Sequence, residues 1–74
     1  MAKIMERIVI DAEVLGGKPV IKGTRIPVYL IIELLGAGLT EKEVLDQYPT
    51  LEKEDIKAAL LYASKCLKKK GSDG

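Results

Sequence analysis

Histidine, phenylalanine and tryptophan are missing altogether from this 74-residue chain, which has a single cysteine and only three tyrosines. Without an imidazole, Cys66 and Ser64 lack the base that usually activates a nucleophile, and neither sits in a nucleophile motif. A single cysteine excludes an internal disulfide and a thiolate metal cluster within one chain. The carboxylate pairs Glu41/Glu43 and Glu54/Asp55 fall near helix starts, where the helix dipole accounts for them without a divalent cation. Gly16-Gly17 has neither the spacing nor the following Lys-Ser/Thr of a phosphate loop. No catalytic constellation and no cofactor site is found, so a non-enzymatic role is expected.

Long apolar runs are missing too. Val28 to Leu35 is far too short to span a bilayer, and the start, Met-Ala-Lys-Ile-Met-Glu-Arg, does not read as an export signal. A cytoplasmic protein with no membrane role is expected. The apolar content, 47% of residues, comes from Leu, Ile, Val and Ala, so the core must be aliphatic. A chain of this length buries only about 60% of its unfolded surface, so a homo-oligomer, a dimer or larger, is expected.

No charge of one sign dominates: the net charge is +1. Its distribution is uneven, with +2 over residues 1–27, −4 over 28–52 and +3 over 53–74. Such a balance permits nucleic-acid contact through particular faces without demanding it.

What is present is concentrated in one stretch. Leu15 to Val28 holds three of the seven glycines and two of the three prolines. Gly16, Gly17 and Gly23 supply positive φ for turns, and Pro27 suits a helix start. Arg7-Ile8-Val9-Ile10 is a β-branched run that reads as a strand ending at Asp11, which could cap a helical turn over Ala12 to Leu15. Val20 to Lys22 reads as its partner strand. Two strands are barely stable alone, so the ribbon must lie on helices or extend a sheet from a second copy.

Three helices are expected after Pro27. The first, to Gly36, carries Val28, Leu30, Ile31, Ile32, Leu34 and Leu35 over an arc of about 200°, wider than one buried face needs. It is a central core helix, a subunit interface, or both; Val28, Ile31, Ile32 and Leu35, with Leu61 and Tyr62, are the candidate oligomer or partner surface. Gly38 ends it as a left-handed C′ residue, Thr40-Glu-Lys-Glu43 is a capping box opening the second helix, and Pro49 stops that helix at Tyr48. The Leu39, Glu43, Val44 pattern recurs as Leu51, Asp55, Ile56 with the poorer cap Glu52. The third helix is expected from Lys53 to Lys69, with Ile56, Ala59, Leu60, Ala63 and Leu67 as its core stripe and Cys66 a half-buried small residue. The fold class is therefore mainly α: residues 1–6 a flexible start, 7–70 one domain with a β-ribbon and turn over 7–26 and a three-helix bundle over 27–70, and 71–74 a flexible tail.

A helix-turn-helix places its second helix in the major groove, here the third helix. Lys53, Lys57, Ser64 and Lys68 fall within about 60° of one another on it, a basic track beside the apolar stripe. A solvated charged face is the plainer account. Glu52, Glu54 and Asp55 crowd the same helix start and repel phosphates, and the helix has no Arg or Asn for bidentate base reading. Lys18, Lys22 and Arg25 form a second basic group for phosphate contact, although Arg25 could instead bond carbonyls or a carboxylate such as Asp11.

Gly-Gly-Lys-Pro-Val-Ile-Lys-Gly-Thr-Arg-Ile-Pro-Val, preceded by Ile-Val-Ile-Asp and followed by Leu-Thr-Glu-Lys-Glu-Val-Leu and Tyr-Pro, closely resembles the small prokaryotic family known as domain of unknown function 433, over roughly Arg7 to Ala63. The resemblance implies a compact domain with a homeodomain-like helix-turn-helix. It also implies an antitoxin of the VapB type, paired with a PIN-like ribonuclease toxin and binding its operator DNA. Antitoxins of this general kind carry an extended tail that wraps the toxin; few residues follow Lys70, so toxin contact is expected on the folded surface or the end of the third helix. The alternative is a protein-interaction or oligomerisation module with no nucleic-acid role, since fold does not fix function.

Overall fold

The computed structural model describes residues 6–71, with side chains through Lys68. A short antiparallel ribbon, β1 (Ile8–Val9) and β2 (Val20–Ile21), precedes three helices, α1 (Val28–Gly36), α2 (Glu41–Gln47) and α3 (Lys53–Gly71). The fold is mainly α, as the apolar periodicity predicts. The strands pair Ile8 with Ile21 and Val9 with Val20. The expected flexible ends fall outside the described residues apart from Glu6 and Gly71, and Gly71 closes the last turn of α3 rather than opening a tail.

The link between the strands departs from expectation. Asp11 does organise a turn, its Oδ1 accepting from the Glu13 N–H at 2.9 Å and its carbonyl from the Val14 N–H at 2.8 Å. That turn takes in Ala12 and Glu13 and stops short of the expected Leu15. Leu15, Gly16 and Gly17 take φ of 52°, 66° and 88°, a left-handed 3₁₀ turn. The two glycines adopt this at no steric penalty, and Leu15 is carried along at a cost of roughly 1–2 kcal/mol. At the other reversal Gly23 has φ 81°, and Thr24 locks the turn: its hydroxyl donates to the Ile21 carbonyl at 2.8 Å and accepts from the Ile26 N–H at 3.0 Å.

Helix boundaries follow local chemistry. α1 ends in a Schellman motif, in which the Leu39 N–H reaches the Leu34 carbonyl at 3.1 Å and the Gly38 N–H the Leu35 carbonyl at 3.0 Å, with Gly38 at φ 106°. Thr40 and Glu43 form the expected capping box, Thr40 Oγ1 accepting from the Glu43 N–H at 3.2 Å and Glu43 Oε1 from the Thr40 N–H at 2.8 Å. Such a cap contributes about 1 kcal/mol. Pro49 holds Tyr48 at φ −126°, ψ 80°, outside helical geometry.

The core joins Ile21, Val28, Ile31, Val44, Leu51, Ile56 and Ala59. Each fully buried aliphatic side chain contributes about 1.5–3 kcal/mol. α3 sits rotated from the expected stripe. Ala58 and Ala59 are fully buried, whereas Leu60 is 45% and Leu67 70% exposed. The small alanines occupy the interior positions of α3 and the larger leucines face outward.

Candidate nucleic-acid and partner surfaces

The most highly connected side-chain cluster lies at the N-terminus of α3. Asp55, almost fully buried, accepts through Oδ2 from the Glu52 N–H at 2.8 Å and through Oδ1 from Arg7 Nη1 at 2.9 Å. The same Nη1 reaches Glu52 Oε1 at 2.9 Å. Asp55 therefore reproduces half of a capping box, the half in which the third helical residue reaches back, while the Glu52 side chain is drawn to Arg7 instead of capping. The Arg7 guanidinium is held even more firmly protonated than usual, first by its bond to Asp55, then by its bond to Glu52. Two of the three carboxylates crowding this helix start are thus engaged by a cation from β1's flank. Sequence reading missed this clasp. Its signal was the recurrence of Asp55 at the Glu43 position of the capping pattern, but nothing local points to Arg7.

Lys53, Lys57, Ser64 and Lys68 are all exposed along α3. Among the described residues the salt bridges are Arg7 with Glu52 and Asp55, and Lys42 with Asp46, so none of these lysines is neutralised. The second basic group does not form a single patch. Lys22 borders the polar cleft with Glu6, Arg7, Thr50, Glu52 and Asp55. Arg25 borders another cleft with Asp11 and Thr24, is exposed, and has no ion pair among the described residues; Asp11 serves the turn instead. Lys18 lies elsewhere, on the rim of an apolar groove.

That groove, of about 350 Å³, runs between α1 and the far half of α3 and is lined by Tyr29, Ile32, Tyr62, Ala63, Cys66 and Leu67. The expected partner surface is sorted accordingly. Ile31 is fully buried in the core; Val28, also a core residue, lines the floor of the groove with Ile32 and Tyr62, and Leu35 and Leu61 are half-buried. Cys66 is exposed rather than half-buried. Burial, and the charge Cys66 carries once ionised, push the Tyr62 phenol above its ordinary range. The described residues contain no cluster of potential metal ligands and no helix long and apolar enough to cross a membrane.

A family model described as protein of unknown function (DUF433) matches residues 8–63. The chain belongs to this family. A similar sequence, the uncharacterized protein y4eO of Sinorhizobium fredii, is 36% identical over 63 residues, which is 85% of this chain and 28% of that protein; the chain thus spans little more than a quarter of that relative. An uncharacterized protein of Archaeoglobus fulgidus is 75% identical over 24 residues, 32% of this chain and 67% of its own length. The crystal structure of a DUF433 member from Anabaena variabilis matches with a TM-score of 0.81 at 32% identity, over 97% of this chain and 71% of that one. The DUF433 match takes in both strands, α1, α2, Lys53, Lys57 and Asp55; Ser64, Cys66, Leu67 and Lys68 lie beyond it.

Proposed function

We propose that this DUF433 chain is a non-catalytic antitoxin that regulates its own toxin–antitoxin pair, binding operator DNA along α3 and masking a PIN-like ribonuclease. The observation that carries the DNA half is the track of Lys53, Lys57, Ser64 and Lys68, exposed together on the second helix of the α2–turn–α3 pair. Lysines act on DNA as point charges toward phosphates, and α3 offers no Arg or Asn for bidentate base contacts, so the binding is dominated by the backbone of the duplex. Arg7 eases the main objection by engaging Glu52 and Asp55 at the helix start. The toxin half rests on the family resemblance, and the groove lined by Tyr29, Ile32, Tyr62 and Leu67 is the apolar surface available to it. One track binds weakly; two tracks in an assembled dimer add their phosphate contacts.

The test is the salt dependence of binding to a duplex from the upstream region. Replacing Lys53, Lys57 and Lys68 with Ala should flatten the plot of log affinity against log salt by about 0.9 for each phosphate left without its lysine. An unchanged slope removes α3 from the interface. The apolar groove favours a second reading, a protein-interaction module with no nucleic-acid role, and wild-type protein that fails to retain duplex DNA at low ionic strength selects it.

A further inference from the structure

The ribbon has one closed side and one open side. β2 is bonded on both flanks: to β1, and to the segment entering α1, where the Ile21 N–H meets the Ile26 carbonyl at 3.0 Å and the Val28 N–H the Pro19 carbonyl at 2.9 Å. β1 has β2 as its only neighbour among the described residues. The direction of its backbone groups follows from two bonds. The Lys22 N–H donates to the Arg7 carbonyl at 2.7 Å, so Arg7 faces β2. Ile21 directs its N–H to Ile26 and its carbonyl to the Thr24 N–H, so the Ile8 and Ile21 pair exchanges no hydrogen bonds. Antiparallel alternation then turns the N–H and C=O of Ile8, and of Ile10 two residues on, toward the open edge.

The edge segment Ile8, Val9 and Ile10 holds no Pro, Lys or Gly to oppose pairing, and Ile10 is 61% exposed. The flanking charges make the segment complementary to itself. Arg7-Ile-Val-Ile-Asp11, read antiparallel against a second copy with Val9 on the axis, sets Ile8 opposite Ile10 and Arg7 opposite Asp11 at both ends. Centring the pair on Ile8 or Ile10 instead breaks both charge pairings.

We propose that β1 pairs antiparallel with β1 of a second copy across a two-fold axis at Val9, giving a continuous four-stranded sheet in the order β2, β1, β1, β2. Ile8 and the second copy's Ile10 exchange their N–H···O bonds, and the axis repeats the exchange. Arg7 uses Nη1 on its own Glu52 and Asp55, leaving Nε and Nη2 for the second copy's Asp11, whose Oδ1 is occupied by the Glu13 N–H and whose Oδ2 is free to accept. Four strands clear the size at which a sheet becomes independently stable, which two do not. This assembly uses neither α1 nor the groove and does not depend on the regulatory reading.

The experiment is light scattering over a concentration series, with disulfide trapping in a Cys66→Ser background. Wild type is expected to run as a dimer and Ile10→Lys as a folded monomer with an unchanged helical spectrum. Val9→Cys is expected to cross-link to dimer on oxidation, while Tyr29→Cys, on the groove, stays uncross-linked. A wild-type monomer throughout, an Ile10→Lys dimer, or trapping through position 29 rather than 9 overturns the proposal. Should Ile10→Lys fail to fold, trapping at position 9 supports the proposal and its absence overturns it.

Discussion

Asp55 turns its two carboxylate oxygens to different tasks, one capping α3 and the other holding Arg7. Asp55→Ala removes a helix cap and a charge-assisted bond from a buried position, and should lower stability by about 2–3 kcal/mol, read as a fall in the urea midpoint at constant slope. Asp55→Asn keeps an acceptor for the Glu52 N–H and should lose less. Tyr62 carries a different signal. Burial, followed by the Cys66 charge, raises its phenol in the folded state above an unfolded value of about 10. The folded state therefore holds the proton more tightly: the stabilisation is complete below about pH 10 and is lost as pH climbs through the folded value. Tyr62→Phe should abolish that part of the alkaline decline in chemical-denaturation curves. At this scale the sequence is uneven to read. The Asp55 cap is written three residues after Glu52, within one helical turn, whereas its arginine partner is 48 residues away and has no local mark.

Helix ends were the easiest elements to read because their rules act within a few residues. Gly38, the Thr40 and Glu43 box and Pro49 each fall where the backbone requires them. The rotation of α3 was not readable from hydropathy, which favours Leu60 and Leu67 for the interior. The interior positions go instead to Ala58 and Ala59, whose small side chains leave no room for a larger group without displacing their neighbours. Ala58→Leu should therefore cost about 1–3 kcal/mol by overpacking, while Leu67→Lys should change stability by no more than about 0.5 kcal/mol; paired thermal melts distinguish the two. The Leu15 turn escaped for the opposite reason, since a leucine at positive φ runs against the preference of its own side chain and follows the glycines after it. The same separation runs through the candidate surfaces. The lysine track was legible, because helical spacing alone places it. The groove was not, because it needs Tyr29 from α1 beside Tyr62 and Leu67 from α3.

Across the whole molecule, the three helices are neighbours in sequence as well as in space, while the ribbon reaches α3 across most of the chain. The Arg7 clasp is the clearest of these distant links. Closing the loop from Arg7 to Asp55, 48 positions apart, costs about 3 kcal/mol of chain entropy before any bond rewards it. Local helix contacts carry far less of that cost and form first. Arg7→Met should accordingly leave the refolding rate of the chain nearly unchanged and speed its unfolding, a split that stopped-flow measurements in urea resolve. A slowed refolding limb would instead place the ribbon in the nucleus. The ion pair at the start of α3 thus acts on the lifetime of the folded chain and hardly on the time it takes to form.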